Sequence, residues 1–412
     1  MVEGSLVEPV RTHRTTAGNA WWATDPVLWS VFSVWTALWA SLRWTPSGIS
    51  RHFFPLSARL LFGDAGLRMY AQQPELQFGP LAAIAVGPFT LLPSSAGLVA
   101  AQCTMTVAGL FALRLVTPLA GPAGGRRSLR VLLAGLVLAP AWTVLSVRWA
   151  HPDDVLALVL LAAAVRAVSA GRGLPAGLLL GAAVGAKPWA VGAGPILFAL
   201  QRRETLRGLV GGALVTVAAW APFLLADAGT WAAMSPPVGI NESSPLRLFG
   251  VRADVVPAWT RSAQLVAAPL AGLLAVLRRR WPAALLVAIA ARLALDPQDI
   301  AYYAAGAVLA AVVTDLAVAG WLLPWTSLVT AAVLWQPFVV DFAHRMQNTH
   351  GLSLWWFRHP TGVAIVHLAW AVATLALLAV PDRWLGRGTP RLPAGPSWRS
   401  AADRRPSPTA SS

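Results

Sequence analysis

Residues 131–168 read VLLAGLVLAPAWTVLSVRWAHPDDVLALVLLAAAVRAV. Two apolar runs, 131–147 and 155–168, flank one short polar break that carries His151, Asp153 and Asp154. Neither run alternates polar with apolar residues as a barrel strand would, so both read as helices. A helix needs about 20 mostly apolar residues to cross a bilayer, where only helices and closed barrels satisfy their own backbones. The stretch is therefore expected to be two membrane helices joined by a carboxylate-bearing turn.

The pattern repeats outward from there. Hydrophobic residues make up 56% of the 412 and mean hydropathy is +0.59, so most of the chain lies in apolar runs. At about one span per 20 apolar residues, ten to thirteen membrane helices are expected, an all-α polytopic integral membrane protein. Acids fall in alternate breaks: 43–77, 151–154, 227–261 and Asp296-Pro297-Gln298-Asp299. Arginines hold the others, at Arg126-Arg127, Arg202-Arg203, Arg278-Arg279-Arg280 and beyond Pro381. The net charge of +15 is thus dispersed over helix ends, which fits positive-inside topology and excludes a nucleic-acid partner.

The same rule places both termini in the cytoplasm and the protein in the plasma membrane. Arg11 and Arg14 precede the first span, 26–42, and Arg383, Arg387, Arg391, Arg399, Arg404 and Arg405 follow the last. The expected organisation is a cytoplasmic segment 1–25, a membrane domain 26–380 and a disordered basic tail 381–412. No small-residue cleavage site closely follows the first span, so it is read as retained. Cys103, the single cysteine, lies in an apolar run as a packing residue.

Two runs conflict with this alternation. If 98–119 and 175–200 were each one full span, Arg126-Arg127 and Arg202-Arg203 would face outside. The expected solution is that each is a pair of half-length helices returning to the side it left, while 78–92 crosses inward. Lys187-Pro188 breaks the second run, where proline ends or kinks a helix; the first has no such mark.

Lys187 is the only lysine. An ionisable group in mid-run usually faces a cavity, where an ammonium can hold a phosphate oxygen as a point charge; its alternatives are snorkelling or pairing with a nearby acid. Asp153 and Asp154 can stabilise a helix start, and with His151 they could also ligate a divalent metal, although consecutive residues point in different directions. Asp299 is read as capping the next helix, with Tyr302 and Tyr303 one turn inside it, where phenols could meet a polar ligand. The segment 43–77 is too apolar for an ordinary loop: from His52 through Phe62, apolar residues interspersed with Arg51 and Arg59 have the helical spacing of an interfacial segment.

The order of these features, Leu67 to Pro80, then His151 to Asp154, then Ala176-Gly177 through Lys187-Pro188-Trp189, resembles the polytopic GT-C glycosyltransferases. It looks most like glycosyltransferase family 87, the actinobacterial branch with polyprenol-phosphate-mannose-dependent α-mannosyltransferases. The likeness covers the N-terminal half. It implies inverting transfer of a sugar, mannose or arabinose, from a polyprenyl-phosphate donor to a hydroxyl of a lipid or glycan acceptor outside the membrane, with no cofactor. It further implies an external carboxylate as base and cationic groups on the lipid phosphate. The family's key aspartate belongs just after the first span, yet residues 46–52 read PSGISRH, without an acid. Base duty would then fall to Glu75, His52, Asp64 or Asp153, phosphate contacts to Lys187 and Arg51, and substrate contacts to His151, Asp154, Tyr302 and Tyr303. The competing expectation is a transporter, flippase or non-catalytic binder of a polyprenyl-linked sugar; against transport, no motif recurs between the halves.

Overall fold

The computed structural model describes residues 26–42, 49–121, 125–234, 238–252, 254–298, 301–317, 322–335 and 358–379. Among these there is no strand. The helices are α1 (Pro26–Ser41), α2 (Phe53–Phe62), α3 (Met69–Gln72), α4 (Pro80–Val86), α5 (Ser94–Val116), α6 (Gly125–Thr143), α7 (Pro152–Ser169) and α8 (Gly173–Ala186). After a 3-10 stretch, Pro188–Ala199, come α9 (Arg202–Ala226), α10 (Gly229–Ala233), α11 (Trp259–Leu277), α12 (Ala284–Leu293), α13 (Tyr303–Ala317), α14 (Trp325–Thr330) and α15 (Pro360–Ala376). Five helical stretches are long and apolar enough to cross a membrane: Ser94–Ala120, Arg127–Trp149, Arg202–Ala226, Trp259–Leu277 and Pro360–Ala379.

The bundle has two chemically different ends. At one end, the Arg130 guanidinium donates to the carbonyls of Asp315 (2.5 Å) and Leu316 (3.1 Å), and that of Arg280 to the carbonyl of Leu377. Thr314 Oγ1, one turn from the end of α13, reaches the Pro282 carbonyl at 3.4 Å. These bonds gather the start of α6, the start of α12 and the ends of α13 and α15. Arginines here neutralise the negative ends of helices. Asp315 lies among them, away from solvent. It is buried and accepts from Thr326 N (3.2 Å), Ser327 N (2.7 Å) and Ser327 Oγ (2.6 Å), capping α14.

The run 98–119 is not a pair of half-helices. It lies within one continuous helical stretch, Ser94–Ala120, made of α5 and a 3-10 turn, whose end meets Arg130 through the Ala120 carbonyl (3.4 Å). The topological conflict is resolved earlier. Gly79 N donates to Ala186 O (2.8 Å) and the Gln102 amide to Val147 O (2.8 Å), both near the other end of the bundle. The chain between them, α4, a 3-10 turn and the turn at Leu92-Pro93, leaves that end and comes back to it. Residues 78–92 therefore run out and back at one end of the bundle, and α5 runs on toward the other.

The second run does break at Lys187-Pro188, as its proline requires: α8 and the following 3-10 stretch pack as an out-and-back pair. α8 then lies parallel to α9. Cβ atoms added at Gly173, Gly177 and Gly181 would collide with the carbonyl oxygens of Glu204, Gly208 and Gly212, each partner 31 residues on. Small residues spaced by four give two helix backbones this close approach in an apolar medium. The Glu204 carboxylate tethers the pair by accepting from Gly173 N at 2.8 Å.

Candidate functional site

The end opposite the arginines holds an open cavity of about 470 Å³. Segments far apart in the chain supply its wall: Phe54 of α2, Glu75 after α3, the 151–154 turn, the 187–189 break, the loop after α9, Arg261 and Gln264 of α11, Arg292 of α12, and Tyr302 with Tyr303. The four breaks 43–77, 151–154, 227–261 and 296–299 thus each contribute to the wall of one space.

The floor begins with local strain. α6 widens into a π-helical stretch, Val144–Trp149, and Ala150 follows with φ of +50°. A left-handed conformation in a residue with a Cβ costs roughly 1–2 kcal/mol, and π segments cluster at functional sites. The turn lets Pro152 start α7 at once and brings His151, Asp153 and Asp154 together, so that one ligand atom from each lies within 4.8 Å of the others. Consecutive side chains that were expected to diverge converge because the backbone reverses at Ala150.

Lys187 closes this cluster. Its ammonium is in direct contact with Asp153 Oδ2 and lies 3.5 Å from Asp154 Oδ2, while His151 Nδ1 is 3.3 Å from Asp153 Oδ1. α8 must end at Lys187, since Pro188 has no N–H to continue it, and the extended backbone there aims the side chain at the start of α7. Burying Asp153 and Asp154 without a counter-charge would be prohibitive, so the pair is mutually required. Asp154 Oδ1 also accepts from Trp189 Nε1 (2.9 Å). The Arg292 guanidinium sits over the Trp189 ring (5.5 Å) and the Tyr303 ring (4.6 Å) and binds Asp296 Oδ2 at 2.7 Å. Tyr302 stacks on His151 with centroids 3.9 Å apart. On the far wall Tyr70 donates to Phe78 O (2.9 Å) and packs on Trp220; burial pushes its phenol well above the usual value.

Of the residues the sequence pointed to, Glu75, His151, Asp153, Lys187, Tyr302 and Tyr303 line the cavity, and Asp154 stands directly behind. His52, Asp64 and Arg51 do not line it. Helix α2 turns Phe54, Ser57 and Ala58 inward, at the i, i+3, i+4 spacing of one face, leaving Arg51 and His52 exposed before it and Asp64 exposed after it. Asp299 lies outside the described residues. Sequence reading missed Arg261, Gln264 and Arg292. Arg292 with Asp296 at i+4 inside an apolar run was a legible pair, and Arg261 with Gln264 at i+3 a legible polar edge.

No family model, curated protein or solved structure matches this chain. Its function is therefore read from the chemistry of the cavity. Asp153, Asp154 and Asp296 each face a cation, whereas Glu75 is exposed at the cavity and is in no ion pair among the described residues. Arg261 likewise lines the cavity without an ion pair among them.

Proposed function

We propose that this chain is a membrane glycosyltransferase of the GT-C type. It would move a sugar from a polyprenyl phosphate to a hydroxyl of a lipid or glycan acceptor at the extracytoplasmic face. The observation that carries this reading is the meeting, in one open cavity bordered by the amphipathic α2, of a carboxylate, Glu75, and a guanidinium, Arg261, neither in an ion pair among the described residues. Transfer with inversion needs those two functions. In this scheme Glu75 takes the proton of the acceptor hydroxyl as it attacks the anomeric carbon. Arg261, in the place first given to Arg51 and Lys187, meets the charge that develops on the departing phosphate. Trp189 and Tyr303 offer rings, and Gln298 and Gln264 amides, to the sugar and phosphate. Lys187 serves the floor as the counter-charge of Asp153 and Asp154. Positive-inside orientation then puts the arginine end in the cytoplasm and the cavity outside.

The test is transfer from labelled decaprenyl-phosphate mannose or arabinose to extracted lipid acceptors by the protein in membranes. Glu75→Gln should lower turnover by about 100-fold or more, as loss of a general base does, with donor binding retained. Retained turnover would remove Glu75 as base. A second reading, a carrier or non-catalytic binder of the same lipid, is favoured by the neutralisation of the buried acids by Lys187 and Arg292. Donor binding with no product from any acceptor would establish it.

A further inference from the structure

A cluster of one histidine and two aspartates with ligand atoms within 4.8 Å is a common composition for a divalent-cation site. Here the space between the two carboxylates is already filled, by a side chain 33 residues beyond Asp154 in the sequence. We infer that Lys187 is a tethered cation occupying a metal-type site, so that the native chain needs no divalent ion at the His151/Asp153/Asp154 cluster and removal of the ammonium opens that cluster to one.

Three observations support this. Lys187 contacts both carboxylates, as a bridging ion would. The second oxygen of each carboxylate is turned to another group of the cluster: Asp153 Oδ1 lies 3.3 Å from His151 Nδ1, and Asp154 Oδ1 accepts from Trp189 Nε1 at 2.9 Å. Two of the three donors are also held independently of Lys187, His151 by its stack on Tyr302 and Asp154 by Trp189 Nε1, and the turn at Ala150 sets the helix start. Deleting the lysine side chain therefore leaves two of the three donors placed and the two carboxylates without their counter-charge, a vacancy that a divalent cation with water can fill. A compact ammonium can substitute in this way because it carries donors in three directions and no planar fork.

The experiment uses the full chain purified in lipid nanodiscs and titrated with Mn²⁺, followed by electron paramagnetic resonance and calorimetry. The native protein should bind no stoichiometric Mn²⁺ at this cluster. Lys187→Ala should bind one per chain, at least about 100-fold more tightly, since a fixed positive charge a few ångströms away has been removed. The binding should vanish again in Lys187→Ala with Asp154→Asn. The inference is overturned if the native protein binds one Mn²⁺ that Asp153→Asn abolishes, or if folded Lys187→Ala binds none. Should Lys187→Ala not fold, a cycle with Lys187→Met and Asp153→Asn decides. A tethered counter-ion predicts that the double variant melts closer to native than either single one, and additive losses overturn it. Glycosyl transfer is not the readout, so failure here and failure of the proposed activity are separate results.

Discussion

The two ends of the bundle bury charge in opposite ways. At the arginine end each charge serves a helix terminus: Arg130 and Arg280 donate to C-terminal carbonyls, and Asp315 caps α14. At the cavity end charge meets charge across helices, Lys187 with Asp153 and Asp154 and Arg292 with Asp296, around a strained turn and an open space. The first arrangement tidies up a fold. The second holds ions that are costly in an apolar bundle and positions them beside a cavity, as expected where binding or chemistry takes place.

Several experiments would break or sharpen this contrast. The largest effect is all-or-none. In a Cys103→Ala background, Glu75→Cys should react with an impermeant maleimide in intact cells and Arg203→Cys only after lysis; the reverse pattern would put the cavity inside. Next, Asp153→Ala should destabilise the protein by about 3 kcal/mol, the low end for breaking a buried pair, because Asp154 remains 3.5 Å from the ammonium. A melt in detergent close to the native one would show that the pair is not needed for folding. At the other end Asp315→Ala should cost about 1–2 kcal/mol, the range for a lost cap, with donor binding unchanged; weakened binding would mean the ends are coupled. Smallest of all, His52→Gln, Asp64→Asn and Arg51→Ala should each alter transfer by less than about twofold, as surface changes do. A large loss in any of them would bring the exposed side of α2 back into the site.

Much of the architecture was legible locally. The first span was expected over 26–42 and α1 runs Pro26–Ser41; the helical spacing after Arg51 became α2; and Lys187-Pro188 breaks its run. Such features depend on neighbours within a turn or two, where periodicity and proline act. The continuity of α5 is not legible, because positive-inside counting needs a crossing at 78–92, where the chain runs out and back at one end of the bundle. Nothing in the apolar composition of that stretch distinguishes a hairpin from a span.

By itself the sequence determined an all-α chain with long apolar helices, acids in one set of breaks and arginines in the other. Hydropathy and charge segregation are additive along a chain, so they survive without coordinates. Only the tertiary structure decided that Lys187 neutralises Asp153, that Arg261 and not Arg51 reaches the cavity, and that Glu75 is an acid there without a counter-ion among the described residues. Those outcomes depend on how far one helix slides and turns against another. The glycines of α8 and the left-handed Ala150 set that offset by contacts between segments distant in sequence, which no local pattern records.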